Sequence, residues 1–120
     1  MKPTLRKIDC VMIKVLELEK AAAYYESVFG LKRLWQDAHS VGMGMPETDA
    51  EIVLHDNDMP KEISVHYLVD DVLQAVDTFA AQGCIIRAKP FDIAIGKCAV
   101  LEDPFGNTLA ILDMTKGART

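Results

Sequence analysis

The chain is written twice. Residues 8–36 and 62–89 share one layout: an alternating run, a helical pattern closing at a glycine, and a second apolar run. In the first copy Val11, Ile13 and Val15 alternate with Cys10, Met12 and Lys14; in the second Ile63, Val65, Tyr67 and Val69 alternate with Ser64, His66 and Leu68. A period of two marks a strand with two different faces. Leu18, Ala22, Tyr25 and Phe29, and later Val72, Ala75, Val76, Phe79 and Ala80, fall at helical spacing and predict one amphipathic helix per copy. Glu17 and Glu19, and Asp70 and Asp71, place negative charge near the helix starts, while Gly30 and Gly83 stop them. Three strand candidates follow each glycine: 31–36, 41–45 and 51–55, then 84–89, 96–101 and 108–113. Asp56-Asn57-Asp58-Met59-Pro60 reads as a linker and Asp103-Pro104-Phe105-Gly106-Asn107 as a tight turn, with fraying expected from Lys116 onward.

The resulting expectation is an α+β fold, two βαβββ modules in tandem (7–57 and 61–114) within a single domain, 1–120. A four-stranded sheet with a helix on one face leaves the other face free. Two such curved mixed sheets would enclose a cleft, the natural place for a ligand. With 120 residues the chain can bury a real core without disulfides or metals. Cys10, Cys84 and Cys98 are odd in number and in no CxxC spacing, which fits reduced thiols. The 13 Lys and Arg against 18 Asp and Glu give a net charge of −5 with no basic run, so phosphate backbones are poor partners and nucleic acid is excluded. No apolar stretch is long enough for a membrane span, and Met1 to Arg6 carry no apolar export segment; the expected address is cytoplasmic.

Strand parity nominates the residues facing the cleft: Cys10, Met12 and Lys14; Ser64, His66 and Leu68; Glu51, Val53 and His55; Thr108, Ala110 and Leu112. His66 stands out as an imidazole in mid-strand, able to bind a ligand or act as a base near neutral pH. His55, at a strand end, and His39, in a turn with Asp37, read as solvated. Trp35, the lone tryptophan, could stack on a planar or cationic ligand. Met43 and Met45 alternate with Gly42 and Gly44, a pattern suited to an adaptable apolar pocket or to filler in a bent strand. Lys14 is a charge inside an apolar strand, read as a snorkelling surface lysine or as a partner for Glu51 or a ligand anion. No GxSxG elbow, phosphate loop or GxGxxG is present.

The stretch Val15-Leu16-Glu17-Leu18-Glu19-Lys20-Ala21-Ala22-Ala23-Tyr24-Tyr25, closing with Phe29-Gly30-Leu31, and Glu102-Asp103-Pro104-Phe105-Gly106-Asn107 near the end resemble the vicinal oxygen chelate superfamily. That group includes glyoxalase I, bleomycin-resistance proteins, thiol-transferring fosfomycin-resistance enzymes and extradiol dioxygenases. The resemblance runs from about Lys7 to Asp113. In metal-dependent members it implies His, Glu or Gln ligands at four positions, which correspond here to Cys10, Val53, Ser64 and Ala110. Val53 and Ala110 offer no donor atom, so no metal cofactor is expected; a displaced divalent-metal site of Cys10, Glu51, His55 and His66 is the alternative. The resemblance to the bleomycin-resistance branch implies a homodimeric protein that sequesters a hydrophobic or cationic small molecule, an antibiotic-resistance-like role. The competing expectation is a metal-dependent lyase, isomerase or dioxygenase with a rearranged site. The ligand-binding set comprises His66, Trp35, Cys10, Met12, Lys14, Ser64, Glu51, His55, Met43, Met45 and Thr108.

Overall fold

A computed structural model describes residues 4–60 and 64–117 of the chain. It contains eight strands and two helices in the order β1 (Lys7–Lys14), α1 (Leu18–Ser27), β2 (Lys32–Gln36), β3 (Ser40–Met45), β4 (Thr48–His55), β5 (Val65–Leu68), α2 (Val72–Ala81), β6 (Ile85–Ile93), β7 (Gly96–Glu102) and β8 (Thr108–Leu112). This is the βαβββ pattern repeated. The chain divides into two compact units, one spanning Asp9–Ser64 and the other taking Val65 onward together with the stretch up to Ile8.

In the first unit the strand order is β2-β3-β4-β1, with β1 and β4 parallel and the other pairs antiparallel. Alternation decides what packs where: Val41 and Met43 of β3 and Leu54 of β4 are buried with Ala22 of α1, and Ile13, Val15, Leu18, Tyr25 and Ile52 close around them. The helix starts after Glu17, whose side chain makes no capping bond, and its chain leaves through Gly30 at φ 73°. Arg33 fastens β2 to the helix through a fork onto both carboxylate oxygens of Glu19 at 2.9 Å and a bond from Nε to Glu26 at 2.9 Å.

In the second unit the order is β6-β7-β8-β5, with β5 and β8 parallel. Val69, Val72, Ala75, Val76, Ala99, Leu101 and Ile111 form the core under α2. Here the cap is complete, Asp71 accepting from the Gln74 N–H at 3.1 Å, and Gly83 exits at φ 103°. Asp103 builds the predicted turn by accepting from the N–H groups of Phe105 at 2.8 Å and Asn107 at 2.9 Å, with Gly106 at φ 87°.

Several expectations need correction. The first helix stops at Ser27, so Phe29 leaves the packed stripe, is 58% exposed and instead meets Tyr24 and Tyr25 edge-on. Strand β6 runs through Pro90 to Ile93 rather than ending at Lys89; it lies at the edge of its sheet, where a missing N–H breaks no ladder. Lys116 is not frayed, because its N–H bonds to the Ile95 carbonyl at 2.9 Å and its ammonium to Asp92 at 3.1 Å. Ile63 of the second predicted strand, and residues 118–120, lie outside the described residues.

Candidate functional site

The helix-free face of the first unit carries the odd-even partners of its core: Cys10, Met12 and Lys14 from β1, Gly42 and Gly44 from β3, Glu51, Val53 and His55 from β4. The parallel register sets Cys10 opposite Glu51, Met12 opposite Val53, and Lys14 opposite His55. A bulge between Arg33 and Trp35 in β2 turns Leu34 and Trp35 to this same face, where each lies against bare glycine backbone. A Cβ on Gly42 would overlap the Trp35 indole, and one on Gly44 would press on the Leu34 methyls. The Trp35 Nε1–H donates to Glu51 Oε1 at 2.6 Å, so the ring is seated on one strand and fastened to the next.

Beside this pair a groove of about 560 Å³ opens at the end of the β3–β4 hairpin, within the usual range for small-molecule sites. Leu34, Gly44, Met45 and Pro46 supply an apolar wall, and Glu51 a carboxylate; Lys32 and Asp49 stand at its exposed rim. Leu34 and Pro46 were not among the sequence candidates. The Gly42 and Gly44 alternation was the available signal, since side chains must cover a strand face that has none of its own.

Met45 lines the groove, whereas Met43 is wholly buried against α1 and belongs to the core. Cys10 is buried, and Met12 is half-buried with its N–H donating to the Ser64 carbonyl at 2.7 Å. Lys14 is not paired with Glu51: it donates to the Met59 carbonyl at 3.4 Å, and the register puts it four β4 residues away from Glu51. His55 is buried rather than solvated. Its Nδ1 accepts the Asn57 N–H at 3.2 Å, which leaves the ring proton on Nε2. Burial first, and then the Lys14 ammonium, push its pKa below the ordinary histidine value, with Asp56 opposing weakly, so it is a neutral donor at neutral pH. His39 is exposed and bonded through Nδ1 to Asp56 at 2.9 Å. In the other unit His66 is buried on β5 opposite Ala110, and Thr108 is exposed at the start of β8 opposite Glu102. Cys98 is no nucleophile: burial pushes its thiol up to about 11.

Residues 7–111 match the model of the Glyoxalase/Bleomycin resistance protein/Dioxygenase superfamily. The chain belongs to that superfamily. Solved structures with the same fold include methylmalonyl-CoA epimerase from Mycobacterium tuberculosis, 14% identical over 99% of this chain and 93% of that one, TM-score 0.77. A Streptomyces coelicolor methylmalonyl-CoA epimerase variant in complex with 2-nitronate-propionyl-CoA is 13% identical over 92% and 99%, TM-score 0.74. A hypothetical protein from Bacillus halodurans is 14% identical over 95% and 98%, TM-score 0.76. No curated protein sequence matches significantly. At these identities the likeness carries the fold.

Within the glyoxalase-type fold, the four positions at which metal ligands are implied can be tested on the duplicated register. Met12 faces Val53 in one unit and His66 faces Ala110 in the other. Cys10 and Ser64 therefore stand at matching places, each two residues before the partner of Val53 or Ala110. At these four positions the residues do not fit a divalent ion: Val53 and Ala110 have no donor atom, and both are buried. In the alternative set, Glu51 and His55 are separated by about 13 Å along β4, too far to share an ion. Among the described residues no three His, Cys, Asp or Glu side chains converge as a metal site, and no helix is long and apolar enough to cross a membrane.

Proposed function

We propose that this superfamily member is a metal-independent small-molecule-binding protein that sequesters an apolar or cationic guest, acting as a homodimer. The observation that carries the reading is the pair Val53 and Ala110, donor-free residues at equivalent register positions of both units. With donors missing at these two of the four implied positions, the set is too poor to hold a Lewis acid that would polarise a carbonyl or stabilise an enediolate. What the first unit offers instead is a half-apolar groove with one anchored carboxylate, the composition of a site that holds its occupant by shape and a few polar contacts. The second reading, a metal-dependent lyase, isomerase or dioxygenase, draws support from the epimerases that share the fold.

Metal analysis separates them. Protein purified without chelator should contain substoichiometric zinc, nickel, cobalt, manganese and iron, and adding each should leave the melting temperature unchanged. A tightly bound ion at 100 times its dissociation constant would instead stabilise by about 2.7 kcal/mol. A stoichiometric metal that is lost in His66→Ala or Glu51→Ala would overturn the binding-only reading in favour of the enzyme.

A further inference from the structure

We propose that the groove beside Glu51 is a site for a primary ammonium group carried on an apolar body; this rests on the ligand-binding reading above and names its guest. The Glu51 carboxylate is half-buried on β4 and lines the groove, and the Trp35 N–H takes one of its roughly four lone-pair directions. The indole cannot swing away with the carboxylate, because it is seated on Gly42. Glu51 is therefore held in place before any guest arrives, so little rotamer freedom is lost on binding. At the rim the opposite charges of Lys32 and Asp49 offset each other and are exposed to screening, which leaves the half-buried Glu51 as the charge that discriminates. Leu34 and Pro46 beside it offer branched and cyclic apolar surface, and the unbranched Met45 can adapt to an aryl or alkyl body. An ammonium donates three hydrogen bonds to acceptors of this kind; a carboxylate guest would meet like charge, and a neutral alcohol would form a weaker bond.

The test uses three probes with nearly one body: phenethylamine, phenethyl alcohol and phenylacetate. Each is titrated against the full chain, followed by calorimetry and by the emission of Trp35, the single tryptophan, whose N–H bond reports on Glu51. The amine is expected to bind about tenfold or more tighter than the alcohol, with phenylacetate weakest. Glu51→Gln keeps an oxygen for Trp35 and should bring the amine down to the alcohol, while Asp49→Asn should change the preference by less than about threefold. Equal binding of amine and alcohol, a preference that survives in a folded Glu51→Gln protein, or no binding of any probe would overturn the assignment. If the probes fail while the protein is free of metal, only this guest is wrong; stoichiometric metal would instead remove the reading on which it rests.

Discussion

Asp113→Ala is expected to destabilise the protein by about 3 kcal/mol and to lower its melting temperature by roughly 10 to 20 °C. Asp113 is buried just past β8, and its carboxylate gathers three segments. Oδ2 accepts from the Val72 N–H at 2.8 Å, at the first turn of α2; Oδ1 accepts from the Lys97 N–H at 2.9 Å, at the start of β7, and from the Thr115 hydroxyl at 2.8 Å. Alanine would leave two backbone donors without partners inside the protein, and an unpaired buried N–H costs more than the bond it loses. Burial alone would raise the carboxyl's pKa, but the bonds from Val72, Lys97 and Thr115 together outweigh it and hold the group below its ordinary value. The sign follows: a depressed folded-state pKa contributes stability that is complete above the unfolded value near 3.9 and disappears as pH falls through the folded one. Wild-type stability should therefore decline in acid more steeply than that of Asp113→Asn, which retains an acceptor but no charge. Gly96 lies under the same carboxylate, where a Cβ would strike both Oδ1 and the Asp113 backbone. Gly96→Ala should thus be nearly as damaging, and the double variant less so than the sum. Denaturant unfolding that finds Asp113→Ala within 1 kcal/mol of wild type, a limit set by ordinary surface substitutions of about ±0.5 kcal/mol, would refute the hub.

The duplicated register explains why the fold was legible and part of the site was not. Period-two runs and glycine stops sufficed to place nine of the ten elements with little error, because each strand's alternation and each helix's stripe are local. The errors come from non-local facts. Asp56 and Asp113 occupy equivalent places, each three residues beyond Val53 or Ala110, and nothing in the sequence distinguishes the exposed partner of His39 from the buried hub. Whether Lys14 snorkels or pairs with Glu51 is decided by the parallel register of β1 and β4, which sets the two apart. Parity also cannot say which face of a strand meets the helix when methionine alternates with glycine, so Met43 read equally well as pocket and as core. Only the bulge in β2, invisible as a pattern, reveals that the glycine face is the one covered by Leu34 and Trp35.

That coverage makes Gly42 the position where a single methyl should most disturb the site. In Gly42→Ala the added Cβ would overlap Nε1, Cε2 and Cδ1 of Trp35, a rigid ring with no flexible end to yield, so the indole must lift from the sheet. It then loses the 2.6 Å bond to Glu51 and much of its contact with β3. The combined cost is about 2 to 3 kcal/mol, in the range for overpacking with a lost charge-assisted bond. Gly44→Ala is the internal comparison: there the obstacle is the mobile end of Leu34, which can change rotamer, and the expected cost is under about 1 kcal/mol. Emission from the displaced Trp35 should move to longer wavelength in Gly42→Ala and stay put in Gly44→Ala. Trp35→Phe in the Gly42→Ala background supplies the decisive cycle, read by circular dichroism. If the clash is with the indole, removing its pyrrole edge relieves most of the strain, and the two substitutions together cost less than their sum by about 1 kcal/mol or more. Strict additivity would mean that Trp35 does not rest on Gly42, and the anchored carboxylate would lose its anchor.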